Sequence, residues 1–388
     1  MEECKVLDKL PKGEIVVPPS KSISHRMVIC QMLANGKLED IANLGTSNDI
    51  TATINGMNTI CNSKNNNDII TIDCNESGST LRFLIPIAIA ISNKTFIFTG
   101  SEKLFERPLS VYEEIFSENN IDFKKEKGKF IVSGSLKPNK FYVKGDVSSQ
   151  FISGLLFALP LLDGDSEIII TTKLESKEYI DLTIDAMKQF NVFVVKQTNG
   201  WKIKGKQKYK PTKVYVEGDY SQAAFWLVAK ALGNDVSCVG LNSNSIQGDK
   251  EIINVINQAT NKLNPIVVDA TNIPDLVPII TVFMCFLNGT SKIINASRVR
   301  LKESDRLHAI TTELKKLGAE IEELPDSLIV HGNKKLHGGN VDAWNDHRIA
   351  MSLAIISTKI FDEIKLSGYD SVKKSYPTFW NDFEKVKK

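Results

Sequence analysis

Neither sign of charge dominates this chain: 48 Lys and Arg stand against 46 Asp and Glu in 388 residues, a formal net of +2. Without a global field, nothing recruits a nucleic-acid backbone or an anionic membrane, so any bound anion must be held by a local cluster of cations. Long apolar runs are missing too. The longest, Phe83–Ile91, is about half of what a membrane-spanning helix needs. The cysteines (Cys4, Cys30, Cys61, Cys74, Cys238 and Cys285) are scattered, with no CxxC pair. In a chain of this size they read as reduced thiols, not as a disulfide frame or a zinc site. The N-terminal Met-Glu-Glu-Cys-Lys lacks the apolar stretch of a secretory signal, so a soluble cytoplasmic protein is expected. There is no HExxH, no Walker loop and no GxGxxG, so no metal, ATP, dinucleotide or other cofactor is implied.

What is present is an ordinary globular composition, 42% hydrophobic and 24% charged, in a chain long enough for two domains. Beneath it lies a repeat. Val143-Lys-Gly-Asp-Val-Ser-Ser-Gln and Val216-Glu-Gly-Asp-Tyr-Ser-Gln share a short strand, Gly-Asp-x-Ser, and an apolar helix. In both, the Ser is expected to cap the first free N–H groups of that helix. Segments around Ser22, Ser79, Asp275 and Asp346 follow the same plan, so six units of about 65 residues span the chain. Helical periodicity over Glu106–Glu118, Lys177–Gln189 and Lys302–Leu317, each followed by β-rich sequence, makes the unit strand–helix–strand–helix–strand–strand. One such unit cannot bury both helix faces alone. Three together can, which predicts an α/β protein of two three-unit domains, residues 14–215 and residues 1–13 plus 216–388.

Cations concentrate at the turns of these units: Lys21, Arg26, Arg82 and Arg107 in the first half, Lys302, Arg306, Arg348 and Lys374 in the second. A single such residue is most often a solvated surface charge. Repeated placement is different, because a cation in a first helical turn opposes the helix dipole unless an anion compensates. The pattern points to a ligand with several phosphate or carboxylate groups. Among these cations, Asp275 and Glu303 sit at turns and are either partners for Arg or proton-transfer groups. Asp305, beside Arg306, reads as a cap or ion-pair residue. His25 and His347 read as structural hydrogen-bonders, and Trp226, Trp344 and Trp380 as core fillers.

Pro18-Pro-Ser-Lys-Ser-Ile-Ser-His-Arg26, Gly78-Ser-Thr-Leu-Arg82, Glu106-Arg-Pro108, Gly145-Asp-Val-Ser-Ser-Gln150, Lys302-Glu-Ser-Asp-Arg306, Asp346-His-Arg348 and Lys374-Ser-Tyr-Pro377 occur in this order. Together they resemble the 5-enolpyruvylshikimate-3-phosphate synthase family over essentially the whole chain. The resemblance implies the two-domain enolpyruvyl transferase fold, with six βαβαββ-type pseudo-repeats in two inverse α/β barrel domains and the active site in the interdomain cleft. It implies transfer of the enolpyruvyl group of phosphoenolpyruvate to the 5-hydroxyl of shikimate 3-phosphate, with release of phosphate, on the route to chorismate and aromatic amino acids. Both substrates carry phosphate and carboxylate, as the cations require. Position by position, Lys21, Ser22, Arg26, Ser148, Ser149, Gln150, Ser176, Tyr179, Asp275 and Lys302 resemble the family's shikimate-3-phosphate contacts. Lys21, Gly78, Arg107, Gln150, Arg306, Arg348 and Lys374 resemble its phosphoenolpyruvate contacts. Asp275 is expected to serve the hydroxyl and Glu303 to serve C3, with Lys21 stabilising charge. A monomer with these small molecules as its only partners is expected.

Two other readings compete. The sister transferase acting on UDP-N-acetylglucosamine places a reactive Cys five residues before its Arg-Pro, where this chain has Glu102, and an early Lys-Asn pair where this chain has Lys21-Ser22. A catalytically dead paralogue that only binds phosphorylated metabolites would be expected to have lost one of Lys21, Asp275, Glu303 or Arg306, and all four are present.

Overall fold

Some helices of this chain are apolar on every side and others carry only a stripe, and that difference sorts them into inner and outer layers. In the computed structural model, which describes residues 5–7, 12–63, 69–260 and 263–385, the helices Gly78–Ile91 and Ser149–Ala158 are buried along nearly their whole length. Around them, Asn48–Asn62, Ser110–Glu118 and Lys177–Gln189 bury one face each, Ile50, Met57 and Ile60 being the inward row of the first.

The described chain forms two compact units with separate hydrophobic cores, Lys21–Val216 and a discontinuous one made of residues up to Ser20 and from Glu217 onward. Lys21–Val216 contains two four-stranded sheets of one plan. The first runs Ile69–Asp73, Thr95–Thr99, Lys129–Ser133, Asp122–Glu126, and the second Lys140–Val143, Ser166–Ile170, Gly200–Ile203, Val194–Gln197. In each, the first pair is parallel because a buried helix crosses between its strands, and the other pairs are antiparallel.

The discontinuous unit repeats this order in Val267–Asp269, Thr290–Ile294, Leu328–His331 and Glu320–Glu323. Its inner helices are Tyr220–Ala231, Val277–Met284 and His347–Ser357. The remaining three sheets have two or three strands among the described residues. Lys5–Leu7 pairs antiparallel with Ile364–Ser367, and Lys12–Val16 pairs parallel with Asp235–Val239. The N-terminal return therefore extends past the expected residue 13, held by Val17 N–H on the Val239 carbonyl at 3.0 Å and Ser20 N–H on the Glu217 carbonyl at 2.8 Å. Val214–Tyr215 pairs instead with Ile41–Ala42, which keeps it in the first unit.

Three local expectations change. Glu106–Glu118 is not one helix: Glu102–Glu106 and Ser110–Glu118 are separate, because Pro108 pushes Arg107 into extended backbone (φ −69°, ψ 148°). The helix expected from Lys302 begins at Arg306, with the Asp305 side chain accepting from His308 N–H as its cap. In the Gly218-Asp-Tyr-Ser repeat, Asp219 and not Ser221 is the cap, accepting from Gln222 N–H at 3.2 Å. In the matching Gly145 segment Ser148 does cap, accepting from Gln150 N–H at 3.3 Å.

Pro86 lies inside Gly78–Ile91 and has no N–H for the Arg82 carbonyl one turn earlier. The Tyr112 hydroxyl supplies that bond at 2.6 Å. It reaches the carbonyl across Gly154, where a Cβ would lie 2.4 Å from the Arg82 oxygen.

Candidate active site

The first unit places most of its expected residues in or beside the first turns of its helices. Lys21 opens the helix Lys21–Leu33, and its Nζ lies 2.7 Å from Asp49 Oδ2. The Asp49 backbone carbonyl in turn accepts from Thr80 Oγ1 at 3.3 Å, which links Lys21 to the turn preceding Arg82. Arg26 is buried and fully engaged: Nη1 donates to the Ser22 carbonyl at 2.6 Å, Nη2 to the Tyr179 carbonyl at 2.7 Å and Nε to Thr183 Oγ1 at 2.9 Å. It thereby fastens Ser22 to the first turn of Lys177–Gln189. Ser176, the residue before that helix, is buried in left-handed backbone (φ 53°), a conformation costly for a non-glycine residue and typical of functional turns.

Gly78 is where cations converge. A Cβ there would lie 2.7 Å from Arg107 Nη1 and 2.8 Å from Arg82 Nη1, so two guanidinium groups lie against its backbone. Only a residue without a side chain leaves that room. Arg82 also donates to Gln150 Oε1 at 2.9 Å and to the Pro108 carbonyl at 3.0 Å, which makes it a strut between turns. Gln150 Nε2 donates to Ser79 Oγ at 2.9 Å, drawing the Ser148-Ser149-Gln150 helix start to the same turn. His25, buried with Nδ1 2.7 Å from Thr53 Oγ1, is held well below its ordinary pKa by burial first and by Lys21 and Arg26 next. It is therefore a neutral hydrogen-bonder at physiological pH.

The second unit gathers a denser set. Arg306 is buried and spreads over three carboxylates. Nε donates to Asp346 Oδ2 at 2.7 Å, Nη1 to Asp275 Oδ1 at 2.9 Å and Nη2 to Glu303 Oε2 at 2.6 Å. Burial would lower its pKa, but Asp346, Glu303 and Asp275 outweigh it and raise it. Asp275 also meets Arg348 Nη2 at 3.0 Å and Lys302 Nζ at 3.3 Å. Burial alone would push Asp275 upward, yet Arg348, Lys302 and Arg306 hold it well below the usual carboxylate range. Asp346 caps His347–Ser357 by accepting from Arg348 N–H at 2.9 Å. Lys374 Nζ donates to the Asn345 carbonyl at 2.7 Å, whereas the adjacent Lys373 pairs with Asp370 at 2.9 Å.

Not every expected cation stands at a helix start. Arg107 follows the last turn of Glu102–Glu106, and Lys374 closes the short turn Tyr369–Lys374. Both positions suit positive charge at a helix C-terminus. The partners missed from sequence are Asp49 beside Lys21, Asp346 beside Arg306, and Ser221 with Asp249 beside Arg348. Asp346 was visible as a repeat anchor and Ser221 as part of Gly-Asp-x-Ser. Asp49 and Asp249 carry no local signal. Among the described residues no group of His, Cys, Asp and Glu gathers as a metal site, and no helix is long and apolar enough to cross a membrane.

Comparisons over the whole chain place it among known proteins. The chain is 46% identical over 406 residues to the 3-phosphoshikimate 1-carboxyvinyltransferase of Clostridium kluyveri, covering 97% of this chain and 95% of that one. In fold it is similar to the EPSP synthase of Acinetobacter baumannii (TM-score 0.79, 20% identity, 100% of this chain and 98% of that one). It is also similar to the enolpyruvyl transferase NikO of Streptomyces tendae (TM-score 0.73, 12% identity, 99% and 97%). The model of the EPSP synthase (3-phosphoshikimate 1-carboxyvinyltransferase) family matches residues 8–383, and the chain belongs to that family.

Proposed function

We infer that this chain is a 3-phosphoshikimate 1-carboxyvinyltransferase: it moves the enolpyruvyl group of phosphoenolpyruvate onto the 5-hydroxyl of shikimate 3-phosphate and releases phosphate. The family match over residues 8–383 carries this reading. The convergence of Arg82 and Arg107 on Gly78, and of Lys302, Arg306 and Arg348 on Asp275, supports it, because both substrates are anions with planar or tetrahedral oxygen groups that Arg grips in fixed orientation.

In this reading Ser22, Arg26, Ser148, Ser149, Gln150, Ser176, Tyr179 and Lys302 receive shikimate 3-phosphate. Gly78, Arg107, Arg306, Arg348 and Lys374 receive phosphoenolpyruvate, and Lys21 and Gln150 serve both. The 5-hydroxyl must lose a proton while C3 gains one, giving a tetrahedral intermediate, and elimination of phosphate then takes a proton from the new methyl. Asp275 serves the hydroxyl and Glu303 serves C3, with Lys21 stabilising the developing charge. A carboxylate held as low as Asp275 is a weak base while three cations surround it. Substrate phosphate and carboxylate compete for Arg348, Arg306 and Lys302, and as those cations turn to substrate the pKa of Asp275 rises toward a useful value. The enzyme is proposed to act in the cytoplasm as a monomer, which light scattering on the purified chain checks.

A phosphate-release assay with both substrates tests the activity. Release that requires both phosphoenolpyruvate and shikimate 3-phosphate supports it. No release with that pair, or release with UDP-N-acetylglucosamine instead, overturns it.

A further inference from the structure

Beside Arg348 is a carboxylate to which the reaction scheme gives no task. Asp249 lies in the short turn Gly248–Glu251 and is 3% exposed. The Ser221 hydroxyl donates to its Oδ2 and accepts from Arg348 Nη2 at 3.2 Å. That same Nη2 donates to Asp275 Oδ2 at 3.0 Å. Ser221 is free for this because Asp219 has taken over the capping of Tyr220–Ala231. The result is a buried chain, Asp249–Ser221–Arg348–Asp275, within one unit.

A guanidinium is a planar fork, and two fixed partners on one Nη set the plane in which its other donors point. Asp249 draws the Ser221 proton toward itself, so the hydroxyl oxygen turns its lone pairs to Arg348. An ionised buried carboxylate is tolerated only when paired, so the arrangement is retained at a cost. Burial pushes Asp249 upward, to about 6, and the negative charge of Asp275 adds to this, while Arg348 and the Ser221 hydrogen bond oppose it.

We propose that Asp249, acting through Ser221, is a positioning residue that fixes the guanidinium plane of Arg348 for the anionic end of phosphoenolpyruvate. This rests on the assignment of Arg348 to phosphoenolpyruvate made above. The chain of contacts makes the two residues one device, so losing either link loosens the hold on the Arg348 guanidinium.

The test is a double-mutant cycle with steady-state kinetics on the full-length enzyme, varying each substrate in turn. Ser221→Ala and Asp249→Asn should each raise KM for phosphoenolpyruvate roughly tenfold, the scale of one hydrogen bond to a charged group, with kcat and KM for shikimate 3-phosphate within about twofold. The double variant should be no worse than either single one. Multiplying effects, equal shifts in both KM values, or no shift would overturn the proposal. If Asp249→Asn does not fold, the selectivity of the Ser221→Ala shift decides alone. Arg348→Ala separates the two possible failures: if it leaves KM for phosphoenolpyruvate unchanged, the assignment of Arg348 is wrong, and if it raises KM while Ser221→Ala does not, only the positioning role is wrong.

Discussion

The Tyr112 hydroxyl donates to the Arg82 carbonyl at 2.6 Å and replaces the helical hydrogen bond that Pro86 cannot make. Tyr112 stacks on Phe116 and meets Phe151 edge-on, so its ring is fixed in place. Tyr112→Phe keeps the ring and removes the donor. The expected loss is about 1–3 kcal/mol, the cost of leaving a buried carbonyl unsatisfied, read as a lower urea midpoint at unchanged slope. An unchanged midpoint would show that this carbonyl finds another donor.

Glu303→Gln and Asp275→Asn should each lower kcat by roughly 10²–10⁴-fold, because each removes a proposed proton-transfer group and leaves its shape. The assignment fails if both variants turn over at nearly the normal rate. Single-turnover measurements should place the loss in the chemical steps and not in product release.

Gly78→Ala tests whether two guanidinium groups share one small ligand. The added Cβ would sit 2.7 Å from Arg107 Nη1 and 2.8 Å from Arg82 Nη1, both at the ends of flexible side chains, so those groups move and the helix stays. The melting temperature should hardly change, while KM for phosphoenolpyruvate rises about tenfold, the scale of one disturbed charge-assisted contact. A fall in stability without a KM change would make Gly78 a packing residue only.

His25 gives a pH signature of stability. Its folded pKa lies below the ordinary 6.5, chiefly through burial. The unfolded chain therefore takes up this proton first, and the stability His25 contributes is full above about pH 6.5 and lost as pH falls. Measured by denaturation from pH 7.5 down to 5, the stability of wild type relative to His25→Gln should fall by up to about 1.4 kcal/mol per pH unit below that point. A difference that stays constant with pH would mean that His25 remains protonatable in the folded state.

Much of the fold was legible because the relevant physics is local. The Ser148 cap, the Asp305 cap and the turn positions of Asp275 and Glu303 depend on residues within one helical turn. Periodicity marked the outer helices, and all-round apolar character marked Gly78–Ile91 and Ser149–Ala158. Where two local signals competed, the reading slipped: helical periodicity across Glu106–Glu118 hid the break at Arg107-Pro108, and the Ser of Gly-Asp-x-Ser hid the stronger capping by Asp219.

The partners of the candidate site residues were not legible in this way. Lys21 finds Asp49, Arg306 finds Asp346 and Arg348 finds Ser221 across separations of 28, 40 and 127 residues. By itself the sequence determined the repeat, the residues that can carry anion chemistry and the family to which they belong, because periodicity, capping and ordered motifs are written along the chain. The tertiary structure alone decided which carboxylate faces which cation, because buried charge is stable only where packing brings its counter-charge within hydrogen-bonding distance.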